Sequence, residues 1–514
     1  MNRAAARVGF RKQLLYITEL DSGEKQRMPE ALCPKVLAER LEGLPGLPAV
    51  RAALGAAGVG RAWLVGGAVR DVARGVLRTA AALDLDLALP GDGRAAARRI
   101  AAVLGGSAFP LDEEQGAWRV VAGEPATVDV IPLRAATIEE DLAGRDLTVN
   151  AMAWELFGDG AVLDPLGGLA DLARGRARLC SPGALAADPV RVLRVYRFAA
   201  TLALDLPLEV VAALCATAGA LPRMPRERVR DELFAVLDSG RGARALGSMA
   251  GHGVLSQLVP GFDTWRGFDQ GEYHRYDLAE HALRTVAAAE ELAWHPGHFA
   301  FLAPAELLAA HLAEPLEAGV TRRALLLLTA LLHDVSKPAT VRRDGMRLRF
   351  LGHEVRGGQE VYGLLRGLRL GGRAARAGQR LVAAHLRLFQ LAQQEPPTPR
   401  ARLRYLKDLR HDVPEALLLA LADEWATGPE RPAWPLVSAT AGEVLTQYWQ
   451  RSRSPPVPPL LQGRDLLALG LAPGPLVGEI LREIEDQERQ GRVGSREQAL
   501  ELARELAREL AGSL

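Results

Sequence analysis

The chain has 514 residues, 48% of them hydrophobic, and its 63 basic and 62 acidic residues leave a formal net charge of +1. This length predicts about three or more domains, and the apolar content excludes a largely disordered chain. The near-zero charge excludes a globally basic protein, so any basic surface must be local. The three cysteines form neither a disulfide framework nor a C-x-x-C zinc motif, and no long apolar stretch occurs. We therefore expect a cytoplasmic protein with no membrane partner.

Two aspartates stand two residues apart in the strand-like run LDLDLAL. Because side chains alternate across a strand, Asp84 and Asp86 share one face, while Leu85 and Leu87 point the other way. Two neighbouring carboxylates are costly without a cation between them, and hard oxygen ligands suit Mg²⁺ on nucleotide phosphates. The pair therefore predicts a Mg²⁺ site, and the alternative is the solvated face of an edge strand.

A glycine pair precedes this run by one strand–helix unit. Gly66 and Gly67 end an apolar run and open a helical stretch that carries Arg70 and Asp71. Because glycine has no side chain, backbone N–H groups there can approach a triphosphate closely. An ordinary turn is the alternative, but the conjunction with the aspartate pair is much rarer than either motif alone.

A third acidic candidate, Asp129, lies in the strand-like run TVDVIPLR. A third carboxylate beside the aspartate pair would complete a two-metal site for phosphoryl transfer, with one ion activating the attacking hydroxyl and the other the triphosphate. A solvated strand aspartate is the alternative reading of this residue.

Three further motifs follow in order, DLAGRDLTVNAMA, LDPLGGLADLARGRAR and ADPVRVLRVYRFAA. With the preceding ones they resemble the bacterial-type tRNA nucleotidyltransferase and poly(A) polymerase family, class II of the polymerase-β-like superfamily, most closely over residues 60–260. The resemblance implies that Asp84 and Asp86 are the catalytic metal ligands and that Arg145 and Asp146 hold the ribose 2′-hydroxyl. It also implies a phosphate-side and nucleotide-binding set of Gly66, Gly67, Arg70, Asp71, Asn150, Asp188, Arg191, Arg194 and Arg197.

Within that set, Asp188 and Arg191 occupy the position of the family's nucleotide selector. On a helix, residues three apart share a face, so one acceptor and one fork-shaped donor would project together. Arginine can donate to N3 and O2 of cytosine or to N1 of adenine, while aspartate accepts from the exocyclic amino group. A surface ion pair worth a few tenths of a kcal/mol is the alternative.

The sequence departs from the family pattern at three places. Gly144 replaces one arginine of the usual Arg-Arg-Asp, and Ala187 replaces the glutamate that commonly precedes the selecting aspartate. The segment between Arg134 and Asp141 is only six residues long, where many relatives carry a flexible loop. Loss of that loop is typical of relatives that add only the two cytidines, so we predict CC addition, with the terminal A left to another protein.

Imidazole and carboxylate side chains recur through the second half of the chain: His281, the doublet His333-Asp334, His353, His385 and Asp423. Brought together from several helices, such groups form a divalent-metal site. The region resembles the HD-type metal-dependent phosphohydrolase domain. That resemblance implies Mn²⁺, Ni²⁺ or Mg²⁺ as the metal and hydrolysis of a phosphoester, such as a 2′,3′-cyclic or terminal phosphate on damaged RNA. Lys337 would assist phosphate binding or face solvent.

Arginines spaced three and four apart predict an RNA surface. Eleven basic and two acidic residues fall between 366 and 410. The spacing predicts that five of the arginines line one helix face, where RNA phosphates would bind in a salt-dependent way: Arg366, Arg369, Arg373, Arg376 and Arg380. A solvated face of an arginine-rich protein is the alternative.

We therefore predict an α+β polymerase-β-like nucleotidyltransferase head followed by helical domains. The expected substrates are tRNA, CTP and ATP, with Mg²⁺ in the head and with no DNA partner. Poly(A) polymerase is the alternative within the family, and an HD phosphohydrolase with a degenerate head is the alternative from another class. The predicted domains are an N-terminal extension (1–45), the head (46–170), a helical neck (171–262), the HD domain (263–450), and a Pro-rich linker with a helical tail (451–514).

Overall fold

The computed structural model divides into two compact units, residues 1–263 and 264–514. Residues 1–33 of the predicted extension and 454–459 of the predicted linker lie outside the described residues, so the finer domain boundaries stay predictions. None of the described helices is both long and apolar enough to cross a membrane. The structure describes residues 34–76, 84–122, 127–158, 160–271, 274–345, 347–394, 397–428, 430, 433–453, 460–489 and 492–511.

The first unit begins with a mixed sheet in the strand order β3-β4-β5-β2-β1-β6-β7. Strands β2 and β5 pair in parallel, and the other neighbours in the sheet pair antiparallel. The elements are α1 (Pro34–Glu42), α2 (Leu47–Ala56), β1 (Trp63–Val65), α3 (Gly67–Ala73), β2 (Asp84–Leu89), α4 (Gly93–Leu104), β3 (Ser107–Asp112), β4 (Ala117–Val121), β5 (Thr127–Pro132), α5 (Ile138–Ala143), β6 (Ala153–Glu155) and β7 (Val162–Leu163).

Alternation along β2 gives the sheet one buried face and one polar face, as predicted. Leu85 and Leu87 are fully buried on one side, whereas Asp84 is exposed and Asp86 half-buried on the other. In the parallel register, Asp86 lies opposite Asp129 of β5. The sheet therefore positions three carboxylates on one face while its leucines and valines form the core.

Helices complete the first unit. Along α8, Leu193, Tyr196 and Ala200 are buried and form the apolar stripe expected from their spacing. These helices are α6 (Gly168–Arg174), α7 (Ala184–Ala187), α8 (Arg191–Leu202), α9 (Leu208–Ala218), α10 (Arg226–Leu237) and α11 (Gly242–Gly251).

The second unit is mostly helical, but it also contains two short β-hairpins, β8–β9 and β10–β11, where only helices were predicted. Strands of two or three residues give no periodic signal, which is why the sequence did not show them. Its elements are α12 (Leu278–Trp294), α13 (Ala305–Ala313), β8 (Pro315–Glu317), β9 (Val320–Thr321), α14 (Arg322–Leu332), α15 (Lys337–Thr340), β10 (Arg342–Asp344), β11 (Arg347–Arg349), α16 (His353–Gly367), α17 (Gly372–Ala384), α18 (Arg387–Ala392), α19 (Pro399–Leu409), α20 (Val413–Ala426), α21 (Trp434–Arg453), α22 (Gly463–Ala468), α23 (Pro475–Arg489) and α24 (Arg496–Ala511).

Short 3₁₀ helices join several of these elements, and the predicted fold class, an α+β head followed by helical domains, is confirmed. The 3₁₀ helices are Thr148–Asn150, Leu221–Arg223, Leu255–Gln257, Phe262–Trp265, Pro296–His298, Ala300–Leu302 and Arg410–Asp412.

A buried ion network fixes two helices of the second unit against each other. Arg322 at the start of α14 donates to Glu415 of α20 at 2.8 Å and to Asp412 at 3.2 Å. His311 of α13 lies 3.2 Å from the same glutamate. Because removing one partner would leave a buried charge uncompensated, the network holds α14 and α20 in a single arrangement.

We predict that Gly168→Ala disrupts the first unit. A Cβ at Gly168 would clash with the backbone carbonyl of Thr148, which only backbone movement can relieve. The free energy of unfolding should fall by about 1–3 kcal/mol. Urea unfolding of the intact chain measures this change. Gly183→Ala is the matched control because no atom lies within 4 Å of its added Cβ, and equal effects of the two substitutions would contradict the packing argument.

Candidate active site and metal centre

The carboxylates of β2 and β5 form the centre of the head. Thr127 Oγ1 donates to Asp84 Oδ1 at 2.6 Å. Arg119 of β4 donates to both oxygens of Asp129, at 2.7 Å each. The structure thus places the three predicted acidic residues together, with Asp129 neutralised by an arginine that the sequence analysis missed.

Asp86 has a raised pKa in this arrangement. Burial and the neighbouring Asp129 raise the pKa of Asp86 to about 6, while Arg145 opposes the rise. A Cβ at Gly66, which has a φ of 70°, would lie 3.2 Å from Asp86 Oδ2 and 3.4 Å from Arg145 Nη1. Glycine therefore leaves space directly beside the carboxylate, where a cation would relieve the excess negative charge.

A buried chain of polar contacts lies next to this centre. Arg70 donates to Asp71 Oδ1 at 2.9 Å and to Asn150 Oδ1 at 2.6 Å. Asn150 Nδ2 donates to Asp146 Oδ1 at 3.2 Å, and Arg194 Nε donates to Asp146 Oδ2 at 2.8 Å. Five predicted nucleotide-binding residues are thus brought into one network.

Asp146 is the junction of that network. Its side chain is only 3% exposed and also accepts from the backbone N–H of Leu147 at 2.7 Å. Burial opposes ionisation, but Arg194 and these hydrogen bonds outweigh it and hold the pKa of Asp146 below its ordinary value. Arg197, further along α8, pairs with Glu232 at 2.7 Å.

The predicted selector pair differs from its expected geometry. Asp188 is extended and lies before α8, so Asp188 and Arg191 do not sit together on a helix as predicted. Their nearest side-chain atoms are 3.9 Å apart, and Asp188 instead pairs with Arg228 at 2.7 Å. Arg191 donates to the carbonyl of Ala184 at 3.0 Å. Pro189 follows the aspartate and disfavours a helical conformation there, which explains the difference.

In the second unit, the structure brings all six predicted metal ligands together in two buried groups, His281, His333 and Asp423, and Asp334, His353 and His385. The Nε2 atoms of His281 and His333 lie 3.2 Å apart, and those of His353 and His385 lie 3.3 Å apart. The centre joins α12, the end of α14, the start of α16, the end of α17, and α20.

Each histidine of this centre directs Nε2 inward, because Nδ1 faces a backbone carbonyl. The Nδ1 atoms of His333, His353 and His385 lie 2.9, 2.6 and 2.7 Å from carbonyl oxygens three residues earlier in the chain. Asp334 Oδ1 is buried and has no hydrogen-bond partner of good geometry among the described residues, although His353 Nε2 lies 3.1 Å from it. Inward-facing Nε2 atoms and a buried carboxylate oxygen are the donors that a divalent cation requires once any Nε2 proton has left, so the donor set fits a metal.

Lys337 also belongs to this centre. The sequence left open whether this residue assists phosphate binding or faces solvent, and the structure shows that it does not face solvent. The residue is 4% exposed, and its Nζ lies 2.6 Å from Asp334 Oδ2 and 2.8 Å from Gln270 Oε1. His274 lies 3.2 Å from the same Nζ. Burial and Lys337 lower the pKa of His274 to about 3, so this ring is neutral. Gln270 and His274 were missed because their spacing to the HD doublet gives no motif.

The prediction that five arginines line one face of a single helix is wrong. Helix α16 ends at Gly367, Arg369 has a φ of 65°, and α17 begins at Gly372. Glycines flank this connection, and the buried Leu370 fixes it against the core. Arg380 pairs with Asp412, whereas the other four arginines are exposed. The helix break separates Arg366 and Arg369 from Arg373 and Arg376, and RNA binding by these residues stays a prediction.

Three known protein families match successive parts of the chain. The family described as poly A polymerase head domain matches residues 62–178, and the HD domain family matches residues 278–428. The family described as probable RNA and SrmB-binding site of polymerase A matches residues 204–266.

The chain is also similar to other proteins over most of their length. The chain is 38% identical to the A-adding tRNA nucleotidyltransferase of Deinococcus radiodurans, over 85% of this chain and 93% of that protein. It is 37% identical to the CC-adding tRNA nucleotidyltransferase of Thermus thermophilus, over 85% and 92% respectively. A CCA-adding enzyme in complex with CTP has the same fold, with a TM-score of 0.60 and 18% identity over 91% of this chain and 96% of that one.

Fold and site together define an enzyme with a nucleotidyltransferase head and an HD domain. The chain belongs to the tRNA nucleotidyltransferase family.

We predict that metal binding at the HD centre releases a proton. Burial alone would lower the pKa of His333, but Asp334 and Asp423 outweigh it and raise that pKa to about 10. The ring is therefore protonated at neutral pH, and a metal must displace that proton. Affinity for Mn²⁺ should rise about tenfold per pH unit between pH 6 and 9.

Calorimetric titration with Mn²⁺ in buffers of different ionisation enthalpy measures the released proton. His298→Gln is the control, since His298 is exposed and pairs with Glu291 away from the centre. The same affinity at every pH would contradict the prediction.

Proposed function

We propose that the head adds nucleotides from CTP or ATP to the 3′ end of tRNA without a template. One observation carries this proposal: the parallel register of β2 and β5 places Asp84, Asp86 and Asp129 side by side next to the open turn at Gly66. The relatives named for CC and A addition to tRNA support tRNA as the substrate, which also favours a cytoplasmic location.

In the proposed reaction, the RNA 3′-oxygen attacks the α-phosphorus of the nucleotide, the bond to the β-phosphate bridging oxygen breaks, and pyrophosphate leaves. Asp84 and Asp86 would hold Mg²⁺, which when bound supplies activation of the attacking hydroxyl and neutralisation of the phosphates. Gly66 leaves room for the triphosphate, and Arg145 offers a guanidinium beside Asp86. Arg119 holds Asp129 in place and offsets its charge.

Base selection would use Asp188 and Arg191. Both are partly buried, with side-chain exposures of 24% and 14%, and both already have protein partners. An incoming base would therefore replace Arg228 on Asp188 and backbone carbonyls on Arg191. Because Asp146 is enclosed by protein donors, we assign the ribose contact to Arg145 and a positioning role to Asp146.

The short connection before α5 supports CC addition. Residues 133–137 join β5 to α5, the N–H of Arg134 donates to Asp141 Oδ1 at 3.1 Å, and Thr137 caps α5. A short connection closed by its own side chains differs from the flexible loop that many relatives carry here, and loss of that loop is expected of relatives that add only the two cytidines. The two named relatives do not decide between C and A, since their identities to this chain are 38% and 37%.

For the HD centre we propose metal-dependent hydrolysis of a phosphoester on an RNA 3′ end, with Mn²⁺, Ni²⁺ or Mg²⁺ held by the two buried groups. Bound metal would supply activation of water and charge neutralisation. Lys337, tied to Asp334 and Gln270, would hold a phosphate oxygen at the edge of the centre.

We predict that the two activities separate by mutation. Asp86→Asn keeps the size of the side chain but removes a ligand charge, so nucleotide incorporation should fall by about 10³-fold or more. Phosphate release from a 3′-phosphorylated oligoribonucleotide should be unchanged. His333→Ala should instead abolish phosphate release and leave nucleotide incorporation unchanged. Each variant is therefore the control for the other. Loss of hydrolysis with Asp86→Asn, or of incorporation with His333→Ala, would contradict two independent sites.

We predict further that the purified protein stops after two cytidines. Incubation of tRNA lacking all three terminal residues with CTP and ATP should give a product two nucleotides longer. A second tRNA ending in CC should not accept A. Efficient growth to CCA by the protein alone, or addition of A only to the CC-ended tRNA, would contradict CC addition and leave the proposed nucleotidyl transfer intact.

A further inference from the structure

The hairpin β10–β11 is a basic segment of the second unit and lies in the chain between Lys337 and the metal ligand His353. Residues 342–349, which we call the arginine hairpin, read RRDGMRLR and contain four arginines and one aspartate. All four arginines are exposed.

Pairing within the arginine hairpin leaves its charge largely uncompensated. Arg342 and Arg349 are directly opposite each other in the register, and like charges in that position destabilise a strand pair. The single acid, Asp344, pairs with Arg349 at 2.8 Å. Among the residues that the structure describes, Arg342 and Arg343 have no ion-pair partner. An anionic ligand would remove this repulsion.

The arginine hairpin is joined at both ends to the metal centre. Phe350 follows β11 directly, and its carbonyl faces Nδ1 of the metal ligand His353 at 2.6 Å. At the other end, β10 begins two residues after α15, whose first residue, Lys337, contacts Asp334. Lys337 Nζ also lies 5.5 Å from the centre of the Phe350 ring. The residues at both ends of the arginine hairpin therefore contact the metal centre.

Apolar side chains follow the arginine hairpin in the chain. Leu351 is 68% exposed and Val355 is 56% exposed, on either side of His353 in the chain. A mononucleotide has one phosphate ester, which Lys337 and the metal would already neutralise. Arg342 and Arg343, next to exposed aliphatic groups, instead fit further phosphates of a strand with their riboses and bases.

We propose that the arginine hairpin binds the RNA strand whose 3′-terminal phosphoester lies in the HD centre, so that the substrate is a polynucleotide end and not a free nucleotide. This inference rests on the proposed hydrolase function. In the reaction, a water oxygen bonds to phosphorus, the bond to the 3′-oxygen breaks, that oxygen takes a proton, and inorganic phosphate leaves.

The test uses the full chain with Mn²⁺ and two substrates, a 3′-phosphorylated oligoribonucleotide and p-nitrophenyl phosphate. The double variant Arg342→Gln/Arg343→Gln should lower kcat/KM for the oligoribonucleotide about tenfold at low salt and leave that for p-nitrophenyl phosphate unchanged. The slope of log(kcat/KM) against log salt should become shallower by about 1.4, as expected for two lost phosphate contacts on a single strand.

The matched control is Arg98→Gln/Arg99→Gln, an adjacent pair of exposed arginines on α4 of the head, which should behave as the unmodified chain. Equal activity of the hairpin variant and the unmodified chain on the oligoribonucleotide at every salt concentration would overturn the inference while leaving the hydrolase proposal in place. No hydrolysis of either substrate by the unmodified chain would instead overturn the hydrolase proposal itself.

Discussion

The parallel pairing of β2 with β5 imposes the constraint on which the head depends, because it sets Asp86 opposite Asp129 at a half-buried position. Two acids there cannot both ionise without compensation, and the surrounding residues supply part of it. Arg119 pairs with Asp129, Arg145 lies close to Asp86, and Gly66 leaves the remaining space open. The protein thus neutralises Asp129 and leaves Asp86 with a raised pKa. A cation bound beside Asp86 would lower that pKa.

The second unit meets a similar constraint with histidines. Backbone carbonyls fix Nδ1 of each ring, so the Nε2 atoms converge near Asp334 and Asp423. Such an arrangement tolerates little movement between the helices that carry the ligands. The buried contact of Arg322 with Glu415 supplies that rigidity, since α14 leads into His333 and α20 carries Asp423. A buried ion pair outside the metal centre therefore helps to fix the positions of the metal ligands.

Sequence patterns predicted the parts of both sites that follow from local periodicity. Alternation placed Asp84 and Asp86 on one face, and the order of histidines and aspartates predicted a metal centre whose ligands do come together. Partners from distant strands or helices had no such signal: Arg119 reaches Asp129 only because β4 pairs with β5, and Arg228 reaches Asp188 from another helix. The spacing of the arginines after Arg366 was misleading, because the buried Leu370 and its glycine neighbours interrupt the helix.

The network around Asp146 connects the helix that follows Gly66 to helix α8. Arg70, on the helix that follows Gly66, contacts Asn150, and Asn150 contacts Asp146, which in turn holds Arg194 of α8. The first two links are hydrogen bonds between buried groups and the third is partly buried, so displacement of one partner weakens the next contact. A displacement of α8 would therefore disturb the contacts that lead towards Gly66. The same contacts explain why Asp146 is enclosed: an aspartate that fixes two elements cannot also be free to leave them for a ligand.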